Sequence, residues 1–377
     1  GVAAAFTIPA GLSVLTTTFA DEAGRQKAIG AWAATGAAGF TLGLVFGGLL
    51  SQLGWRYVFL APAPVAALLV IVGLRILDRP QQSATAGNHY DLPGATAITA
   101  SMMALVYSVV EAPNRGWSDA RTIAGLALSA ALLAAFIGVE KRSAAPLVRL
   151  AILKTRTLVS ADLAGALFFG SFLGFQFLAT LYVQDVAGWS PITTSVAFLP
   201  VGALLLLSGP QAPRIIGRVG TDRLIAGGLV AFAAAYALFL RESSHHLTYA
   251  TMLLPSIVLI GVGWALAFPA LNVQATADVD DHEQGLAGGM FNAGFQIGGA
   301  IGVAVVSTVL SSHTTSAGSQ AHAVLSSLRP ALIILIAVAL AGVAALAASA
   351  LQRPHSERRG GHRPQCLDRP CQEACAV

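Results

Sequence analysis

Long apolar segments separated by short polar loops dominate the hydropathy pattern of this chain. A membrane-spanning α-helix needs about 20 consecutive, mostly apolar residues, and eleven segments of the 377-residue sequence have roughly that length. The pattern therefore predicts an all-α polytopic membrane protein. The predicted spans cover residues 1–19, 28–53, 57–77, 92–111, 121–139, 158–183, 190–212, 224–240, 248–271, 284–311 and 329–351.

The positively charged residues predict the orientation of these spans. When alternate loops are assigned to opposite sides of the bilayer, 17 of the 22 Lys and Arg residues fall on one side. Cytoplasmic loops carry an excess of Lys and Arg, so this side is assigned to the cytoplasm. The C-terminal tail belongs to it. We therefore expect a multi-pass protein of the cell (inner) membrane with a cytoplasmic C-terminus.

The composition argues against soluble and metal-dependent classes. The chain is 55% hydrophobic and 11% charged, against about 25% charged in an ordinary soluble domain. Its net charge of +4 comes from loop residues between apolar runs, so lipid and a small-molecule substrate are the expected partners, and nucleic acid is not. Cys366, Cys371 and Cys375 lack the paired C-x-x-C spacing of zinc sites, and no ATP-binding G-x-x-x-x-G-K-[ST] loop occurs. We predict no metal and no cofactor.

A glycine-rich helix stands out within the second span. Gly39, Gly43 and Gly47 recur at steps of four, followed by Gly48. Residues four apart lie on nearly one face of an α-helix, and glycine there lets another membrane helix approach to backbone contact. The pattern predicts a close-packed helix seam.

The last three spans repeat the layout of the first three. Gly294, Gly298 and Gly302 follow the first glycine series at the same spacing, and internal repeats of this kind are typical of secondary transporters. Three further spans precede the second copy and complete a six-helix bundle, so the symmetry predicts that three helices of the first bundle are missing upstream. The predicted domains are 1–77 (end of the N-terminal bundle), 78–157 (connector with two extra spans), 158–351 (C-terminal bundle) and 352–377 (tail).

Several short motifs, in this order and spacing, resemble the major facilitator superfamily, and more narrowly its fourteen-helix drug:proton antiporter branch of multidrug efflux pumps. They are Arg25-Gln26-Lys27, the glycine helix, Gly54-Trp55-Arg56, Asp91-Leu92-Pro93-Gly94 and Gln296-Ile297-Gly298-Gly299.

The resemblance implies a major facilitator fold and export of hydrophobic or cationic small molecules in exchange for protons, by a protein that we expect to be monomeric. It identifies Gly39, Gly43, Gly47 and Gly48 as the antiporter motif, in which Leu44 occupies the usual proline position. The family's membrane-embedded aspartate and gating loop would precede the first residue. A degenerate relic of that loop remains at 217–223. We expect both glycine helices to lie where the two halves meet.

Candidate substrate-site residues are uncharged. One aromatic face with a polar neighbour and two further amides could line a hydrophobic cavity, although packing between helices or against lipid explains the same residues. The set is Phe168, Phe172, Phe175, Gln176, Asn292 and Gln296.

Only two carboxylates belong to apolar runs, Glu111 and Asp162. A membrane-embedded carboxylate could carry a coupled proton, while solvated or helix-capping roles are the alternative for both.

Two other functions stay open. The chain could be a non-functional truncated remnant of an exporter, or a channel. An enzyme is not predicted, since no cluster of His, Asp or Glu lies within the spans to support acid/base or metal chemistry.

Overall fold

A computed structural model describes residues 11, 22–76, 91–143, 152, 155–241, 249–277, 279, 283–313 and 320–351. Every regular element within these ranges is helical, as the all-α prediction requires. The predicted first span and the cysteine-containing tail lie outside the described residues. The α-helices are α1 Glu22–Leu53, α2 Trp55–Leu60, α3 Pro62–Ile76, α4 Leu92–Arg115, α5 Ala120–Glu140, α6 Arg156–Leu181, α7 Pro191–Ala197, α8 Leu199–Ser208, α9 Ala212–Val219, α10 Thr221–Phe239, α11 Leu254–Thr276, α12 Gln284–His313 and α13 Gln320–Leu351.

Nine helical segments in the described ranges are long and apolar enough to cross a membrane. They coincide with the third to the eleventh predicted spans, and α1 covers the second. The total of eleven spans and the three missing helices stay predictions. The largest boundary differences are in two spans: the eleventh begins at Ala321 instead of residue 329, and the seventh continues through α9 to Val219. The chain then turns at Gly220, where φ is +87°, a backbone conformation that glycine adopts at little cost.

The hydrophobic core lies in the C-terminal bundle, where α6, α10, α11 and α13 pack together. Phe168 of α6 stacks on Phe232 of α10 with ring centroids 4.5 Å apart, and Phe175 stacks on Tyr236 at 4.9 Å. Stacked pairs of this kind contribute about 0.5–1.5 kcal/mol beyond their buried area. These rings hold α6 and α10 in register.

Small residues bring α6 and α12 into backbone contact. A Cβ atom added at Gly298 would overlap the backbone of Ala166, and one added at Gly302 would overlap the backbone of Gly170. In lipid, where apolar side chains gain little by leaving the solvent, such close packing is a main attraction between helices. This α6/α12 seam fixes one wall of the bundle.

The glycine helix α1 packs against α7 and α8 of the C-terminal bundle. Gly48 faces Ser195, whose Cβ lies 2.8 Å from an added Cβ, and Gly202 of α8 faces Thr41 of α1. The contact uses glycine on both sides, so α1 approaches α7 and α8 closely.

The two connector helices, α4 and α5, form a hairpin held by reciprocal hydrogen bonds. The Ser101 hydroxyl donates to the carbonyl oxygen of Ser129 at 2.9 Å, and the Ser129 hydroxyl donates to that of Ser101 at 2.9 Å. The hairpin packs through α4 on α12, where Trp117 Nε1 donates to Thr308 Oγ1 at 2.9 Å. Its position beside α12 ties the connector to the C-terminal bundle.

Candidate functional site

The glycine helix α1 uses only one of its four glycines in a close contact within the described structure. Gly48 packs against Ser195, whereas a Cβ at Gly39, Gly43 or Gly47 would meet no atom of the described chain within 4 Å. These three glycines are therefore turned away from α7, and their role as an antiporter motif stays a prediction.

The second glycine helix, α12, has a different partner from the one expected. Gly298 and Gly302 face Ala166 and Gly170 of α6, inside the same bundle, so the expectation that this glycine face meets the other half is wrong. The physical reason is that α6 also carries small residues at a step of four. Two such stripes in register allow backbone contact along two turns.

The three phenylalanines of the predicted cavity wall lie inside the C-terminal bundle. Phe168, Phe172 and Phe175 are at most 2% exposed and pack on rings of α10. They do not line an open surface in this structure, which corrects the expectation. Helical periodicity groups them on one face of α6, but it does not reveal which neighbouring helix covers that face.

The predicted amides separate into two groups. Asn292 and Gln296, one turn apart on α12, are both exposed. Gln176 instead points along α6, where its Nε2 lies 3.5 Å from Thr180 Oγ1. The structure therefore brings two of the three amides together and leaves Gln176 elsewhere.

Beside these exposed amides lies a set of rings that the sequence analysis missed. Phe169 of α6, Trp264 and Phe268 of α11, and Phe295 of α12 form what we call the aromatic face. Phe169 stacks on Phe295 at 4.0 Å, Phe268 lies 5.9 Å from Phe295, and Trp264 lies 5.3 Å from Phe268. Trp264 and Phe295 are 7% exposed, and Phe169 and Phe268 are half-buried. The i, i+4 spacing of Trp264 and Phe268 was the available sequence signal.

The two carboxylate candidates differ in environment. Glu111 pairs with Arg115 at 3.0 Å, and about a third of each side chain is exposed, which suits the solvated alternative. Asp162 is half-buried near the start of α6, and its Oδ1 is buried without a hydrogen-bond partner. Asp162 and Phe169 are seven residues apart, so they share one face of α6.

The segment 217–223, which the resemblance compares with the gating loop, contributes Asp222 to a polar cluster between three helices. Gln274 of α11, which is 2% exposed, donates through Nε2 to Asp222 Oδ1 at 3.0 Å and to Ser160 Oγ at 3.3 Å. Asp222 lies in the first turn of α10, where a negative charge is favourable to the helix dipole. The cluster ties α6, α10 and α11 together. Across the described ranges, no three His, Cys, Asp or Glu residues are close enough to hold a metal ion.

Comparison with known proteins agrees with this architecture. The family model of the Major Facilitator Superfamily matches residues 1–303. The puromycin resistance protein of Streptomyces alboniger is 37% identical over 320 residues, which cover 84% of this chain and 63% of that protein. The tetracenomycin C resistance and export protein of Streptomyces glaucescens is 29% identical over 314 residues, 83% of this chain and 57% of the relative.

The chain thus spans less than two thirds of the length of these relatives. Among solved structures, the nucleoside transporter NupG aligns over 93% of this chain and 88% of its own, with 18% identity and a TM-score of 0.45. The family match covers well over half of the sequence, and it includes the glycine helix, the connector and most of the C-terminal bundle. The chain belongs to the major facilitator superfamily.

Proposed function

We propose that this chain exports hydrophobic or cationic small molecules across the cytoplasmic membrane in exchange for protons. Family membership supports a transporter rather than an enzyme, and relatives named for puromycin resistance and tetracenomycin C export support drug efflux. The observation that carries the proposal is the aromatic face with its two exposed amides.

The aromatic face has the chemistry of a drug-binding wall. Binding sites for small molecules are lined mainly by apolar and aromatic side chains, with a few polar groups that fix orientation. Phe169 and Phe268 supply partly exposed rings, and Asn292 and Gln296 supply hydrogen-bonding groups on the adjacent surface of α12. The face of a phenyl ring also attracts organic cations, so Phe169 and Phe268 suit neutral and cationic ligands. Trp264, which is 7% exposed, packs on Phe268 at 5.3 Å and supports the wall from inside the bundle.

Asp162 is our candidate for the proton-linked residue. An ionisable group inside a membrane helix is by default a functional-site hypothesis, and Asp162 lies in the span Thr157–Val186. Its Oδ1 is buried without a hydrogen-bond partner, so no group of the described chain holds this oxygen. Its position on the face of α6 that bears Phe169 allows proton binding and drug binding to influence each other. Glu111 is the second candidate, with Arg115 already beside it.

Dye efflux from a pump-deficient bacterial host tests the substrate wall. Phe268→Ala should lower efflux of a planar cationic dye about tenfold, the loss expected for about 1.4 kcal/mol of binding. The matched control is Phe177→Ala, which removes an equally half-buried phenylalanine of α6 outside the aromatic face. Phe268→Tyr keeps the aromatic ring and should retain most of the efflux. Equal effects of the alanine variants, at equal amounts in the membrane, would contradict the assignment of the wall.

Efflux under an imposed proton gradient tests proton coupling separately. Asp162→Asn keeps the size of the side chain and removes its titration, so efflux should no longer accelerate when a proton gradient is imposed on membrane vesicles, while dye binding persists. Normal acceleration by the gradient in Asp162→Asn would refute its role. Flux that survives collapse of the gradient in the wild type would favour a channel. Dye binding without any export by the wild-type chain would favour the remnant.

A further inference from the structure

A cavity of about 570 Å³ opens at one end of the connector hairpin. Asp91 and Pro93 line it at the start of α4, and Ala135, Gly138, Val139 and Arg142 line it around the end of α5. Its volume is in the range of small-molecule sites. The residues that line the cavity belong to the connector hairpin and not to the helices of the aromatic face, and the proposed transport function does not involve them.

Two oppositely charged side chains, those of Asp91 and Arg142, line this cavity and do not form an ion pair with each other. Asp91 Oδ1 accepts a hydrogen bond from the Gly94 N–H at 2.8 Å as the cap of α4, and Oδ2 is buried without a hydrogen-bond partner. Arg142 forms no ion pair with any residue in the described ranges. The wall between them is apolar. The cavity therefore offers one acceptor and one cationic fork to a ligand that carries both charges.

The cavity lies at a membrane interface. The two membrane-spanning segments of the hairpin are Leu92–Arg115 and Ala120–Glu140, so Asp91 and Arg142 stand just beyond their ends. The charge distribution of the sequence assigns this end to the cytoplasm. On the face of α5 that carries Ala135 and Val139, Leu128 and Leu132 lie further into the membrane, and they are exposed and half-buried respectively. A ligand bound here would place a polar headgroup between the two charged side chains and an apolar tail along the apolar side chains of α5.

We propose that this cavity binds the headgroup of a zwitterionic phospholipid with a primary ammonium, phosphatidylethanolamine. Arg142 binds the phosphate, since the planar guanidinium pairs with phosphate oxygens through two parallel hydrogen bonds. Asp91 accepts a hydrogen bond from the ammonium, which carries three N–H donors. The acyl chains lie along Leu128 and Leu132. An anionic lipid has no ammonium group, so its headgroup would place a second negative charge near Asp91 with no cation between them.

Native mass spectrometry of the full chain, released from nanodiscs of defined lipid composition, tests this site. Arg142→Gln should lower the apparent affinity for phosphatidylethanolamine about tenfold, the effect of losing a charge-assisted hydrogen bond. Lys141→Gln is the matched control, because Lys141 is the exposed neighbour of Arg142 and does not line the cavity. Its affinity should stay within about twofold of the wild type. Asp91→Asn should abolish the preference for phosphatidylethanolamine over phosphatidylglycerol.

Each of the following three outcomes would overturn the proposal. Equal losses in Arg142→Gln and Lys141→Gln would show general attraction of lipid to basic residues. Preferential retention of phosphatidylglycerol by the wild type would show an anion site. Displacement of the lipid by soluble phosphoethanolamine at equal concentration would identify the free headgroup as the ligand. Circular dichroism and size-exclusion profiles matching the wild type establish that the variants are folded, and Arg142→Lys should show an intermediate loss.

Discussion

The α6/α12 seam predicts that one added methyl group at Gly302 destabilises the protein. A Cβ there would overlap the Gly170 carbonyl oxygen and lie 2.8 Å from Gly170 Cα. Both obstacles are backbone atoms, so no side-chain rotation relieves the overlap and the helices must separate. Overpacking costs about 1–3 kcal/mol, and a backbone overlap belongs at the upper end. Alanine has a higher helix propensity than glycine, which offsets about 1 kcal/mol of this cost. The net destabilisation is therefore about 2 kcal/mol.

Thermal unfolding in detergent measures this cost. A loss of about 2 kcal/mol corresponds to a melting temperature about 4–8 °C lower for a domain of about 200 residues. The matched control is Gly43→Ala on the other glycine helix, where an added Cβ meets no described atom within 4 Å. Its melting temperature should equal or slightly exceed that of the wild type. A Gly302→Ala variant as stable as the wild type, or an equal loss in both variants, would refute the seam.

Three further outcomes are expected. In a double-mutant cycle of Ser101→Ala and Ser129→Ala, the reciprocal hydrogen bonds should give a coupling free energy of about 0.5–1.5 kcal/mol, measured by unfolding, and additive losses would contradict the pairing. Gln274→Met keeps the volume but removes the donor to Asp222, so it should lower the free energy of unfolding by about 1 kcal/mol; an unchanged midpoint would argue against the cluster. Because a Cβ at Gly43 meets no described atom within 4 Å, Gly43→Leu should insert normally, but it should reduce dye efflux by blocking the close helix contact that the family resemblance implies during transport; wild-type efflux would count against that role.

The sequence located the helices well because membrane spans depend on length and local composition. Residues 92–111 and 121–139 were predicted as two extra spans, and the structure has α4 and α5 there. The seventh span was predicted to end near residue 212, yet α9 continues to Val219 because its arginines lie on an exposed amphipathic face. Polar residues end an apolar run without ending the helix that carries them.

The candidate site was harder to predict. Periodicity placed Phe168, Phe172 and Phe175 on one face of α6, and that grouping is correct, but the face packs on α10. The next residue, Phe169, points towards α12, where its ring stacks on that of Phe295. One step along a helix rotates a side chain by about 100°, so adjacent phenylalanines serve different neighbours.

The sequence by itself determined that the chain is an all-α polytopic membrane protein, because apolar length and loop charge are properties of single segments, and the resemblance of its short motifs indicated the major facilitator superfamily. Only the tertiary structure decided which helix meets which. It paired Gly298 and Gly302 with α6, assembled the aromatic face from three helices, and placed Asp91 and Arg142 at one cavity. The physical reason is that a helix pattern defines faces, whereas contacts between faces depend on the packing of all helices at once.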